Sequence, residues 1–242
     1  MKTKSTRILF LGSALILLFS QMALADTLST VGNYGPYQMG QGGEFTVRPD
    51  AGLSWLLSGY GTGARDYVQL GTFQTFCLER NEYLYGNTTY NVQLNNGSVN
   101  GGIGGATNGK DPISIGTGYL YSQFASGTLA GYDYLNHTTA GALQNTIWYL
   151  ENEITDIPTN IFTTAVANQF GTLANAQQDN NGAYNVMAAN LWAGQPGIGA
   201  SQDLLVASPV PEPASMLLMG SGLIGLAGWG RKKFFKKETI AV

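Results

Sequence analysis

Cys77 is the first residue to weigh for chemistry, because it is the sole cysteine in a chain of 242 residues and a thiolate is a strong side-chain nucleophile. In an exported protein a lone cysteine cannot close an internal disulfide. That leaves a buried thiol, an intermolecular bridge or a reactive group. It stands in Thr75-Phe76-Cys77-Leu78-Glu79, within an expected strand and with an apolar neighbour on each side. The other candidate sets are poorer. His137 is the only histidine, so a histidine-rich metal site cannot be assembled, and a Ser-His-Asp set would rest on one loop side chain between Asn136 and Thr138. Glu79 with Glu82, or Glu151 with Glu153, would supply the two carboxylates of a glycosidase, but paired acids on exposed faces are ordinarily just solvated. Gly101 to Gly105 has loop composition and does not form a phosphate loop between a strand and a helix. No catalytic set, metal site or cofactor is expected, and the chain is not read as an enzyme.

The elements that would have to position Cys77 can be read from periodicity. Alternation with β-branched and aromatic residues predicts strands in Gly43 to Val47, Tyr67 to Leu78, Thr88 to Leu94, Tyr184 to Trp192 and Asp203 to Ala207. Asn96-Gly97, Asn100-Gly101, Asn108-Gly109 and Asn181-Gly182 are turn dipeptides, and Asn95 to Asp111 reads as one Gly/Asn-rich loop. From Thr138 to Thr155, Leu143, Ile147, Leu150 and Ile154 recur at helical spacing, with Pro158 as a stop. Further helices are expected from about Asn160 to Gln177 and over Thr117 to Ser126. Strands flanking a helical insert predict an α+β body, a β-rich sheet or barrel with the helices in the centre of the chain. There is no internal repeat.

The two ends read as addresses. Basic Met1 to Arg7, the apolar run Ile8 to Phe19 and the small residues of Ala23-Leu24-Ala25 make a secretory signal peptide over residues 1–25, with signal peptidase cutting after Ala25. At the other end, Val210-Pro211-Glu212-Pro213 precedes seventeen uncharged residues, Ala214 to Gly230, and then Arg231, Lys232 and Lys233. A helix of that length reaches about 25 Å, so Trp229 and the snorkelling lysines would complete a membrane span with the basic end in the cytoplasm. The body, residues 26–208, then lies outside the inner membrane.

Composition agrees with export. Only 11% of the residues are charged, against roughly 25% in an average soluble protein. Within residues 26–208 four basic side chains face thirteen acidic ones, a net charge of −9. Phosphate contacts need clustered Lys and Arg, so nucleic acid is not an expected partner. An acidic body is not drawn to anionic lipid either, and membrane contact should depend on the tail.

Residues 209–242 resemble the PEP-CTERM sorting signal, whose Pro-Glu-Pro stands here as Pro211-Glu212-Pro213. Motif, hydrophobic span and basic stop must coincide at the C-terminus, which makes the resemblance specific. It implies an exosortase that recognises the motif and removes the tail on the way to the cell surface or an exopolysaccharide-rich biofilm matrix. The body resembles the bacterial thioester domains of surface adhesins, on Phe76-Cys77-Leu78 and Leu143-Gln144-Asn145-Thr146-Ile147-Trp148. That family usually has Ala where Thr146 stands. The resemblance implies an internal thioester joining Cys77 to Gln144, with Phe76, Leu78, Leu143, Ile147 and Trp148 as its supporting shell and Phe73 and Tyr149 helping to keep water away. An amine or hydroxyl on a target surface would displace Cys77 and leave the protein covalently attached. The alternative is a non-covalent protein whose exposed Tyr and Trp side chains dock exopolysaccharide or another ligand.

Overall fold

The computed structural model describes residues 25–209, apart from Tyr34, Asn100, Thr107, Lys110 and Pro196. The signal peptide at 1–25 and the sorting helix at 214–230 therefore fall on residues outside that description, Ala25 excepted. Among the described residues no helix is long and apolar enough to cross a membrane.

The chain forms β1 (Thr27–Thr30), β2 (Gln38–Met39), β3 (Gly42–Gly43), β4 (Phe45–Pro49), a 3-10 turn at Ser54–Gly59, β5 (Phe73–Thr75), β6 (Thr89–Asn95), β7 (Gly97–Ser98) and β8 (Asp111–Pro112). Four helices follow: α1 (Ile115–Ser126), α2 (His137–Leu150), α3 (Ile161–Phe170) and α4 (Leu173–Ala176). After a second 3-10 turn at Ala183–Asn185 the chain returns to β9 (Val186–Trp192) and β10 (Leu204–Ala207). The expected β-rich body with helices in mid-chain is what forms.

One antiparallel sheet carries the fold, in the order β10-β9-β6-β1-β4-β5. Its two edges come together. Cys77, two residues past β5, bridges Leu204 of β10, Leu205 N–H donates to Phe76 C=O at 3.0 Å, and Leu78 N–H donates to Asp203 C=O at 2.9 Å. The sheet is thus nearly closed, which covers edge backbone groups that would otherwise stay unpaired. α1 seals the join: Tyr121 donates its hydroxyl toward the carbonyls of Leu205 (2.8 Å) and Gln74 (3.1 Å), while Phe76 meets Phe124 edge-to-face at 5.0 Å.

Several expected boundaries move, each for a local reason. The strand expected over Tyr67 to Leu78 shortens to Phe73–Thr75, because Asp66 (φ 55°) and Gly71 (φ 76°) turn the chain and Asp66 Oδ1 accepts from Gly71 N–H at 2.6 Å. Cys77 consequently lies beyond the strand. α2 stops at Leu150 instead of Thr155, well before Pro158, since Asn152 adopts φ 63° and the carboxylates on either side of it turn inward. His137 begins α2, with Asn136 as its cap accepting from Thr138 N–H at 2.8 Å, where a loop was expected. The second helix divides into α3 and α4 at Gly171.

Candidate functional site

α2 puts one stripe into the core: Ala140, Leu143, Ile147 and Leu150 are all fully buried. Gln144 sits next to that stripe and is itself only 1% exposed, so its amide needs partners inside the protein. It finds them at the ends of β3 and β5. In the β4–β5 ladder Phe45 pairs with Thr75, so two residues further along the same register Gly43 falls beside Cys77. There the ladder is opened by the Gln144 side chain. Its Oε1 accepts from Cys77 N–H at 3.0 Å and from Gly43 N–H at 3.1 Å, and its Nε2 donates to Cys77 C=O at 2.8 Å. Two N–H donors on one atom and a carbonyl on the other fix which end is oxygen and which nitrogen.

The two residues singled out in the sequence, 67 positions apart, are therefore in direct contact. The named neighbours also gather there: Phe76, Leu78, Leu143 and Ile147 are at most 1% exposed, and Trp148 and Phe73 are buried too. Tyr149 is the exception. It lies about 100° further round the helix than Trp148 and is only partly buried, at the margin of the core.

What the amide can undergo follows from this geometry. Two backbone N–H groups on a carbonyl oxygen draw charge from its carbon, and the same pair would hold the oxyanion formed by a nucleophile attacking that carbon. Cys77 is itself 2% exposed, and its thiol pKa is pushed well up, chiefly by burial and further by the nearby Glu82 and Glu79. Its resting form is the neutral thiol.

A short β2–β3 hairpin roofs the contact. A side chain on Gly42 would run into Trp148 and Gln144 within 2.8 Å, and Gly43 holds φ +116° while its N–H reaches Gln144. On one side of the hairpin a cavity of about 190 Å³ reaches Cys77, and on the other one of about 250 Å³ reaches Gln144; Gly40, Gln41 and Arg80 line both. The sequence reading missed Gly42 and Gly43, because backbone donors leave no side-chain signature beyond the run Gly40-Gln41-Gly42-Gly43.

Of the acidic pairs, only Glu82 keeps partial exposure, and the other three are not solvated as expected. Glu79, Glu151 and Glu153 are 1%, 6% and 1% exposed. Glu153 accepts from the backbone N–H groups of Arg80, Ile103 and Gly104 at 2.7, 3.0 and 2.7 Å, which straps a glycine-rich loop to the end of α2. Glu151 accepts from Ser114 Oγ at 2.7 Å, ahead of α1. Burial pushes the pKa of Glu79 up to about 9, and its Oε2 has no hydrogen-bond partner among the described residues. These carboxyls fasten structure. No group of three or more His, Cys, Asp or Glu that could hold a metal ion occurs among the described residues, and His137 is an exposed residue at a helix start.

Comparison with known proteins assigns the other end of the chain. No curated protein and no solved structure matches it. Residues 209–232 match a protein-family model described as the PEP-CTERM protein-sorting motif, covering Val210, Pro211, Glu212, Pro213, Arg231 and Lys232. The motif implies a secreted protein whose C-terminal membrane-anchoring signal is cleaved, with an exosortase as the processing partner.

Proposed function

We propose that the exported body carries an internal thioester between Cys77 and Gln144 and acts as a single-turnover covalent anchor at the cell surface or in the surrounding matrix. The observation that carries this reading is the three-bond clamp of the Gln144 amide on the backbone of Cys77 and Gly43, with both Cys77 and Gln144 buried. In forming the bond, Cys77 Sγ attacks Gln144 Cδ. The C–S bond forms as the C–N bond breaks, and the thiol proton leaves with the amide nitrogen as ammonia. The oxyanion of the intermediate would rest on the two N–H groups already aimed at Oε1. Reaction with a surface amine or hydroxyl reverses the roles: the new bond forms at Cδ, the C–S bond breaks, and the acceptor's proton goes to the released thiolate. Since the chain is spent in one event, it is an anchor and not an enzyme.

A second reading has its own observation. Gln144 also satisfies backbone groups that an opened β-ladder would leave bare, so the same clamp suits a non-covalent surface-binding protein with a buried, inert Cys77. Intact mass of the exported protein separates the two. The thioester gives a mass one ammonia short, a methylamine adduct on incubation, and a thiol that appears only then. A full mass with the thiol present from the start sinks the covalent reading.

A further inference from the structure

The two openings beside the hairpin differ from the rest of this acidic molecule. Arg80 lines both and Glu82 lines the one that reaches Cys77, so the entrance is close to neutral on a body of net charge −9. Its remaining polar lining is made of amides: Gln38, Gln41 and Gln202 on the Cys77 side, and Asn145 on the Gln144 side. Primary amides both donate and accept, which suits hydroxyl groups better than it suits an ammonium ion. Tyr83 stands at the Cys77 opening 72% exposed, a flat apolar surface with nothing over most of it. Trp148 lines the other opening, and its buried Nε1–H has no hydrogen-bond partner among the described residues. An unpaired buried donor costs stability until something accepts from it.

From this lining we infer that the entrance is a saccharide subsite, so that the group taken by the thioester is borne on a sugar ring. The inference rests on the thioester reading and narrows its acceptor. The ring's C–H face would lie on Tyr83 while its hydroxyls exchange hydrogen bonds with the amides around Cys77 and Gln144. A lysine-bearing protein fits less well, because an extended cationic side chain calls for unbalanced negative charge, and here Arg80 offsets Glu82. The acceptor atom is a ring-borne hydroxyl, giving an ester, or a ring-borne amine, giving an amide. In each case the bond is made to Gln144 Cδ, the Cys77 C–S bond breaks, and the acceptor proton passes to the thiolate.

The test uses the exported protein and follows the thioester by intact mass in the presence of cellotriose, chitotriose, a lysine-containing peptide or methylamine. Expected is saturable consumption by a trisaccharide, with its adduct on Gln144, faster than by the peptide at equal concentration. A cellotriose adduct identifies a hydroxyl acceptor, and an adduct with chitotriose, which adds ring amines, but not with cellotriose identifies an amine. Tyr83→Ala should slow the saccharide reaction roughly five- to tenfold, the effect of losing one ring contact, and leave the methylamine rate unchanged. A methylamine adduct with no saccharide advantage over the peptide overturns the inference while the thioester stands. Equal slowing of methylamine by Tyr83→Ala overturns it as well. Absence of any methylamine adduct is instead a failure of the thioester reading; calorimetric titration with the two trisaccharides then decides the subsite, and no heat of binding rejects it.

Discussion

Gln144 answers for three backbone groups at once, and that makes it the residue whose removal should be felt most. Gln144→Ala leaves Gly43 N–H, Cys77 N–H and Cys77 C=O buried without their partner. An unsatisfied buried polar group costs about 1–3 kcal/mol, so a loss of roughly 3 kcal/mol is expected in urea unfolding once the neighbours relax. Cys77→Ala removes only a sulfur and keeps those backbone groups, and should cost clearly less. A reversed order would show that the clamp is not what holds this corner together. In the Gln144→Ala protein the thiol is bound to remain free, yet burial, with Glu82 beside it, holds its pKa high. Iodoacetamide should therefore label it slowly near neutral pH and quickly in denaturant; equal rates would contradict its burial. At this scale the sequence was informative. Cys77 and Gln144 were visible as types and spacing, because their chemistry resides in side chains. Gly43 was not, because its contribution is an N–H that every residue but proline has.

The hairpin and α2 matter as a pair of surfaces in contact. Gly42 lies so close to Trp148 and Gln144 that Gly42→Val must lift β2–β3 away from the helix. Gly43 N–H would leave Gln144 Oε1 with it. The expected outcome is a folded protein with unchanged far-UV circular dichroism that forms the proposed thioester far more slowly; formation at the wild-type rate would mean that the hairpin only roofs the site. The position of α2 depends in turn on α3. Asn160 caps α3 by accepting from Phe162 N–H and Thr163 N–H at 2.9 and 3.1 Å, and its Nδ2 reaches Ala142 C=O and Thr146 on α2 at 3.1 and 3.0 Å. Asn160→Ala should thus cost about 2 kcal/mol, the upper range for a cap, measurable as a lower urea midpoint with an unchanged slope. Thr146, where the thioester family usually has Ala, is accounted for by this junction, since it bonds Ala142 C=O, Asn160 and Thr163. The helices were legible from their 3.6-residue period. Their ends were not, because Glu151 and Glu153 terminate α2 by tertiary contacts and not by a local stop signal. β1 went unread for a different reason: four residues, Thr27–Thr30, mostly polar, are too few to display alternation.

For the molecule as a whole, the unusual feature is how many carboxyls it buries with so few cations to match them. Burial raises the pKa of Glu44 to about 8 despite the 2.6 Å hydrogen bond from Tyr132, and that of Glu79 to about 9. Each keeps one oxygen without a hydrogen-bond partner among the described residues. Glu151 and Asp203 rise to about 7 and Asp111 to about 6, again chiefly through burial. All five shifts have the same sign. Above the ordinary value of 4.5 for Glu, or 3.8 for Asp, the unfolded chain has released these protons while the folded chain still holds them. The stability this linkage contributes is complete below those values and is lost as pH rises through the folded ones. The melting temperature should therefore fall steadily between pH 4.5 and about 9, in contrast to the usual carboxylate behaviour, in which acid destabilises. Glu44→Gln and Glu79→Gln remove the two largest of these five shifts without enlarging the side chain, and together should flatten that decline. A melting temperature that climbs with pH would mean that these carboxyls are ionised in the fold and compensated by partners other than those described. Because Glu79 is also among the groups that raise the Cys77 thiol's pKa, Glu79→Gln should in addition make that thiol easier to ionise in alkali, which faster iodoacetamide labelling of the folded protein at high pH would report.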